Sequence, residues 1–169
     1  MDIRIRPQRV SDANRFFEIL SNPNFTYFGA NPKTMDEEIA FLKKNAKKRR
    51  NGSEFNFSIM NGKEVVGGGG IMKRGNSPYL GELGYFIDEK YWNRGYATKA
   101  VIQIEEFALN STGICRIEIR IATENIASQK VAQKCGYEKE GTLRHSLYLR
   151  EKWYDCFLYA KIIRVTPPH

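Results

Sequence analysis

The chain has 169 residues, of which 41% are hydrophobic and 27% charged, the composition of one soluble globular domain. No stretch approaches the ~20 apolar residues of a membrane span, and residues 1–6 lack the apolar core of a signal peptide. We therefore expect one cytoplasmic domain, residues 1–169, with no membrane partner. Twenty-seven basic and 19 acidic side chains give a net charge of +8. This charge favours an anionic partner without choosing between nucleic acid, an acidic protein and a phosphorylated small molecule.

Hydrophobic periodicity and turn residues predict the elements. In chain order they are a strand around Ile3 and Ile5, a helix carrying Phe16 to Leu20, a helix over 35–50, strands over 54–60, 64–72 and 80–87, a helix over 96–110, a strand over 115–121, a helix over 126–135, and strands over 139–149 and 152–163. The order β-αα-βββ-α-β-α-ββ indicates an α/β (α+β) fold, with one mixed sheet that has helices on both of its faces.

Three short motifs predict where elements begin or turn. Ser11-Asp12 is the expected N-cap of the first helix, and Thr34 with Glu37 has the spacing of a capping box at the second. Asn61-Gly62 is expected to form the tight turn of the hairpin between strands 54–60 and 64–72.

Two patterns that resemble ligand sites favour structural roles instead. The four glycines at 67–70 lie within a strand pattern and lack the Lys-Ser/Thr ending of a P-loop, so they indicate a bulge or a close approach of backbone. Cys115, Cys135 and Cys156 are widely spaced and form no Cys-x-x-Cys pair. We expect buried thiols in a reducing compartment and no metal site.

The end of the predicted second helix carries six cations. A solvated helix end is the simplest interpretation, because cations there interact favourably with the helix dipole. A docking patch for an acidic partner stays open, but no recognisable nucleic-acid module accompanies the charge, and we expect no nucleic-acid partner. The six residues are Lys43, Lys44, Lys47, Lys48, Arg49 and Arg50.

A sharper pattern lies between the strand over 80–87 and the helix over 96–110. Gly95 and Ala97 keep bulk away from this turn, so the backbone N–H groups at the helix start face outward. Such N–H groups, with the positive end of the helix dipole, bind anions and especially phosphates. Arg94 and the Thr98 hydroxyl would add to the grip.

The same stretch carries a resemblance to a known family. Residues 88–100, DEKYWNRGYATKA, resemble the acetyl-CoA-binding motif of GNAT N-acetyltransferases, and within them the Rim-type branch that acetylates ribosomal-protein N-termini. Three further stretches match in order, namely residues 82–85, residues 125–141, and Leu143-Arg144 with Trp153-Tyr154-Asp155. The match covers about 64–163, while residues 1–60 fit mainly by element order. The resemblance implies a GNAT-like acyl-CoA N-acyltransferase fold and direct acetyl transfer from acetyl-CoA to a primary amine in a ternary complex.

The resemblance also implies which residues hold the cosubstrate acetyl-CoA, with no metal involved. The pyrophosphate would lie on N–H groups of residues 94–98, the pantetheine arm would pair with the strand edge, and a splay between strands 80–87 and 115–121 would expose an N–H toward the thioester carbonyl. The implied cofactor-binding residues are Phe86, Ile87, Arg94, Gly95, Tyr96, Ala97, Thr98, Asn125 and Lys130.

Two departures from the wider superfamily concern catalysis. Many members of the superfamily have Gln or Arg at the position of Trp92, whereas the Rim-type branch, like this chain, has Trp. Many members also have a proton-donating tyrosine at the position of Ala132. The resemblance therefore implies Ser128 as the thiolate proton donor, although a serine there also suits helix capping. Glu82 is the candidate general base, directly or through a water, or else a solvent-facing strand carboxylate.

Three functions are considered, and we expect the first of them, with the other two as alternatives. The first is acetylation of a protein N-terminal α-amine, whose pKa of about 8 lies below the ~10.4 of lysine and so leaves more of the neutral nucleophile. The second keeps the chemistry but takes a polyamine, an amino acid or an antibiotic, and the third is a non-catalytic CoA-binding sensor. An acidic acceptor pocket would favour a polycationic amine and an open groove a peptide. A homodimer is also left open.

Overall fold

The computed structural model describes residues 2–29, 32–164 and 166. Its elements are β1 (Ile3–Pro7), α1 (Ala13–Leu20), α2 (Met35–Arg50), β2 (Glu54–Asn61), β3 (Glu64–Lys73), β4 (Leu80–Ile87), α3 (Tyr96–Ser111), β5 (Arg116–Ala122), α4 (Ile126–Lys134), β6 (Glu138–Leu149) and β7 (Lys152–Ile162). Short 3-10 turns at Val10–Asp12 and Glu89–Tyr91 precede α1 and α3. The predicted order is confirmed, and the predicted ranges from 35–50 onward differ by at most one residue at each end.

The strands of the described chain form one mixed sheet in the order β1-β2-β3-β4-β5-β7-β6. Strands β4 and β5 are parallel, and the other neighbouring pairs are antiparallel. The α/β class is thereby confirmed. The parallel pair lies at the centre of the sheet, where the chain crosses from β4 to β5 through α3.

Helices cover both faces of this sheet, as predicted. On one face Phe86 of β4 packs with Phe16 of α1 and Leu42 of α2. On the other face Leu83 of β4 packs with Ile104 of α3. Because side chains alternate along a strand, even-numbered positions of β4 face α1 and α2, and odd-numbered positions face α3 and α4. Within the described residues no helix is both long and apolar enough to cross a membrane.

The predicted caps and turn need three corrections. Asp12 does not cap α1 with its side chain; its carboxylate instead accepts from the Arg9 N–H at 2.9 Å and so closes the preceding 3-10 turn. Thr34 caps α2 by accepting from the Glu37 N–H at 3.2 Å, but the Glu37 carboxylate accepts from Lys33 N–H, not from Thr34. The hairpin turn lies at residues 62–63, because Asn61 is still paired with Glu64 in the sheet.

The four glycines of β3 lie in a strand, as predicted, and both structural roles occur. A side chain on Gly67 would collide with the Phe86 carbonyl oxygen, and one on Gly70 with the Asn56 side chain. The β2–β3 register shifts between Ile59 and Met60, which marks a bulge. The glycines therefore allow β2 and β4 to approach β3 closely.

The three cysteines are free thiols, with Cys135 and Cys156 buried and Cys115 half-buried. Burial raises the pKa of the Cys135 thiol to about 11, so this group is an unreactive packing residue. No cluster of three His, Cys, Asp or Glu side chains that suits a metal occurs in the described ranges.

Candidate active site

The expected splay between β4 and β5 is confirmed. The two strands are paired at Leu80 with Arg116, at Gly81 with Ile117 and at Glu82 with Glu118. Beyond these three pairs they diverge, although β4 continues to Ile87 and β5 to Ala122. The second half of β4 thus has a free edge in the middle of the sheet, beside the start of α3.

The register decides which residues present their backbone at this edge. The Arg74 N–H donates to the Leu80 carbonyl at 2.9 Å, and the Asp88 N–H donates to the Val66 carbonyl at 2.8 Å. Even-numbered residues of β4 therefore bond to β3, and backbone groups of Leu83, Tyr85 and Ile87 face the open edge. The backbone groups of Phe86 bond to β3 and do not face the open edge, and its ring packs against α1.

Ile87 is at this edge, but one of its two backbone groups already has a partner. The Trp92 indole Nε1 donates to the Ile87 carbonyl at 2.8 Å. This bond secures the turn between β4 and α3. It leaves the Ile87 N–H, together with the backbone groups of Tyr85, facing the edge where an extended chain can pair.

The start of α3 is built as an anion site. Gly95 is its N-cap in the left-handed conformation, with φ +75°, and no side chain caps this end. A side chain at Gly95 would meet nothing within 4 Å, so the space before the helix is open. The first-turn N–H groups of Tyr96, Ala97 and Thr98 point out of the helix start. This N-terminus of a 16-residue helix fits a phosphate group, as the sequence predicts.

Arg94, directly before the Gly95 N-cap, packs on an aromatic pair. The Arg94 guanidinium lies 5.6 Å from the Tyr91 ring centroid, and Tyr91 stacks on Tyr96 at 5.5 Å. Tyr96 is buried and contributes its backbone, whereas Arg94 is exposed. The cation is thereby held against Tyr91, and its residue directly precedes the N-cap of α3.

Ser128 was considered either as a helix cap or as a proton donor, and on α4 the capping role belongs to Asn125. Asn125 is the N-cap, and its Oδ1 accepts from the Ser128 N–H at 3.1 Å. The Ser128 hydroxyl is therefore not required for capping. The Asn125 Nδ2 remains as a donor, and Lys130 is exposed further along the same helix.

The Ser128 hydroxyl lies beside a group that sequence reasoning missed, the phenol of Tyr85. Burial raises the pKa of Tyr85 to about 12, and the neighbouring Ser128 side chain partly opposes that shift. Within the described residues the phenol completes no well-aligned hydrogen bond, and its oxygen is buried. Ala132, where many relatives place a tyrosine, is buried in the core. The sequence did hold a signal for Tyr85, because an odd-numbered position of β4 faces α4.

A pocket of about 460 Å³ lies on the other face of β4, between the sheet and helices α1 and α2. Its floor includes Glu82, Gly84 and Phe86, the even-numbered positions of β4. Facing them are Phe16, Leu20, Phe28, Glu37, Glu38 and Phe41. The acids of the lining are Glu37, Glu38, Glu54 and Glu82, and no Lys or Arg is among the described residues that line it.

Glu82 lies on this floor, at the last paired position before the splay. Its Oε2 is 2.8 Å from Arg74 Nε and 3.8 Å from Arg120 Nε. The carboxylate is thus a pocket group held by two arginines and not a freely solvated strand carboxylate. It stands at the boundary between the pocket and the open edge of β4.

Comparison with known proteins agrees with this geometry. The profile described as "Acetyltransferase (GNAT) domain" matches residues 2–138. The uncharacterized N-acetyltransferase YoaA of Bacillus subtilis is 27% identical over 153 residues, covering 88% of this chain and 86% of YoaA. RimL, a ribosomal L7/L12 alpha-N-protein acetyltransferase solved with coenzyme A, superposes with TM-score 0.88 at 18% identity, covering 97% of this chain and 96% of RimL. The spermidine N-acetyltransferase of Vibrio cholerae, solved with CoA and spermine, superposes with TM-score 0.81 at 16% identity over 95% of each chain.

The chain therefore belongs to the GNAT acetyltransferase family. It is an acetyl-CoA-dependent N-acetyltransferase, and its fold is the one seen in the Rim-type enzymes. The predicted class, family and cosubstrate are confirmed. The assignment of individual site residues stays a prediction, supported by the placement of the splay, the helix start and the pocket.

Proposed function

We propose that this enzyme acetylates a small cationic primary amine that enters the pocket between β4 and α2. The observation that carries the proposal is the lining: four glutamates and, among the described residues, no cationic side chain, in a chain of net charge +8. Such a lining favours a cation over an anionic or neutral ligand. The likeness to the Vibrio cholerae enzyme solved with spermine supports the same choice.

The proposed mechanism assigns one face of β4 to the amine and the free edge of β4 to acetyl-CoA. The N–H groups of residues 96–98 bind the pyrophosphate, and the free edge of β4 pairs with the pantetheine arm. An N–H at that edge donates to the thioester oxygen as negative charge develops there. Acetyl-CoA supplies the acetyl group as a thioester, and in the transfer an N–C bond replaces the C–S bond.

Two side chains handle the protons in this proposal. Glu82 accepts a proton from the amine, directly or through a water, so that the nitrogen lone pair is free to attack. Ser128 donates a proton to the departing sulfur from the opposite side of the strand. The nitrogen loses a second proton as the amide forms, and solvent returns a proton to Ser128, so that one proton is released overall and both the amide nitrogen and the thiol sulfur end uncharged.

The test is release of free thiol from acetyl-CoA against small amines and against peptides with an unblocked α-amine. We expect turnover of the small amines, and a loss of kcat of about 10²-fold or more in Glu82→Gln, which is the range for removal of a general base. Glu106→Gln, an exposed position on α3, is the matched control and should retain activity. Full activity in Glu82→Gln would exclude Glu82 as the base.

A protein N-terminal α-amine is the second candidate acceptor, supported by the likeness to RimL. Turnover of the peptides alone would make this candidate the function. Binding of CoA with no thiol release from any amine would instead support the sensor interpretation.

A further inference from the structure

The four glutamates of the pocket differ in whether the protein itself satisfies their charge. Glu82 pairs with Arg74, and Glu54 pairs with Lys48, whose Nζ is 2.6 Å away. Glu37 is exposed and accepts from the Lys33 N–H at 2.7 Å. Glu38 is different: it is 5% exposed, and no cation or hydrogen-bond donor in the described ranges contacts its carboxylate.

An unpaired buried carboxylate is costly, because it has lost water without gaining a partner. Burial accordingly raises the pKa of Glu38. Its neighbours on α2 do not explain its presence, since Leu42 one turn later is an ordinary core residue. The carboxylate faces the pocket, so a cation in the pocket would supply the missing partner.

The pocket also carries rings suited to an alkylammonium group. Phe16, Phe28, Phe41 and Phe86 line it, and ring faces attract cations that have shed water. Glu38 lies on α2, across the pocket from the β4 floor. A ligand reaching both walls therefore presents one group to Glu38 and another to β4.

The group at Glu38 is not the amine that is acetylated. The reacting amine lies at β4, where the proposed mechanism places the base Glu82 and the thioester, on the opposite wall of the pocket from Glu38. Glu38 suits a second positive charge that remains on the acceptor throughout the reaction.

We propose that Glu38 is the specificity-determining residue for the acceptor and binds a second cationic group, so that the preferred substrate class is a primary amine carrying another ammonium. This inference rests on the proposed function, in that the acceptor enters this pocket.

The experiment compares 1,5-diaminopentane with pentylamine, which have the same chain length but carry two positive charges and one positive charge, respectively. We expect kcat/KM for the diamine to exceed that for the monoamine by about tenfold or more, the usual gain from a charge-assisted hydrogen bond. Glu38→Gln, which keeps the shape, should remove most of this ratio. Asp36→Asn, an exposed loss of the same charge on the same helix, should keep it.

Equal kcat/KM for the two amines in the unmodified enzyme, or an unchanged ratio in Glu38→Gln, would overturn the inference while leaving amine acetylation intact. If neither amine is turned over, the proposed function fails, and calorimetric titration with 1,5-diaminopentane decides the inference separately. Tighter binding to the unmodified chain than to Glu38→Gln supports it, and equal binding overturns it. A thermal melt of Glu38→Gln verifies that the variant folds.

Discussion

At the scale of single residues, the Ser128 and Tyr85 hydroxyls lie on the side of β4 where the proposed mechanism needs a proton donor. Ala132 removes the proton donor that many relatives carry on α4, yet two hydroxyls meet at the same side of β4. The raised pKa of Tyr85 keeps its phenol protonated at neutral pH.

This arrangement predicts a defect in the chemical step alone. Ser128→Ala should lower kcat by about 10²-fold, the low end for loss of a general acid, while KM for acetyl-CoA stays within about twofold. Steady-state kinetics with acetyl-CoA varied at saturating amine measures both. Ser111→Ala, exposed at the end of α3, is the control. A rise in KM without a fall in kcat would assign Ser128 to binding instead.

At the scale of elements, the start of α3 depends on one backbone conformation. Gly95 has φ +75° in open space, so a side chain there would strain the backbone without colliding with anything. The left-handed conformation costs a non-glycine residue roughly 1–2 kcal/mol. Relief of that strain would rotate the N–H groups that follow.

Gly95→Ala should therefore weaken CoA binding by about tenfold or more, as measured by calorimetric titration, and lower the melting temperature modestly. Gly75→Ala is a matched control, because Gly75 has φ +56° and equally open surroundings in the turn before β4. It should lose similar stability with no loss of CoA affinity. Equal CoA affinity in both variants would contradict the anion site.

The first two strands and the turn before α1 meet at a buried carboxylate. Asp12 is 4% exposed and accepts from Arg6 Nη2 at 2.6 Å, Ser58 Oγ at 2.6 Å and the Arg9 N–H at 2.9 Å. Burial alone would raise the pKa of Asp12, but these hydrogen bonds and the Arg6 charge outweigh it and lower the pKa.

Because the folded pKa lies below the unfolded value, the unfolded chain binds the proton more tightly. The stabilisation is present above the unfolded pKa and is lost as pH falls through the folded pKa. Asp12→Asn should lose about 3 kcal/mol at pH 7 and show a flatter decline in acid, measured by urea unfolding between pH 3 and 7. Asp36→Asn should keep the slope of the unmodified chain. An unchanged slope in Asp12→Asn would refute this role.

At the scale of the whole molecule, the parts predicted from sequence were those specified locally. The order of elements follows from periodicity and turn residues, and the anion site follows from the Gly95 turn between a strand and a helix. The chain also places Glu82 on the strand that enters this turn. Each of these depends on residues close together in sequence.

What sequence did not reveal depends on contacts across the sheet. Glu38 meets the floor formed by β4 only after α2 folds onto the sheet, and Tyr85 meets Ser128 only after α4 packs on the opposite face. A signal for Glu38 was present, since it shares a helix face with Leu42 and Asn45, both buried. The Asn61-Gly62 turn was misplaced by one residue because the pairing of Asn61 with Glu64 is set by the register of two strands. The homodimer and the cytoplasmic location stay predictions.

The alternation of side chains along β4 has a consequence for the order in which substrates bind. Its even-numbered side chains floor the acceptor pocket, while the backbone of its odd-numbered residues faces the open edge. This strand of eight residues therefore separates two binding sites, and each site is open to solvent by its own route. In the proposed mechanism neither ligand blocks the entry or exit of the other. Binding of the two substrates and release of the two products are therefore expected to follow a random order.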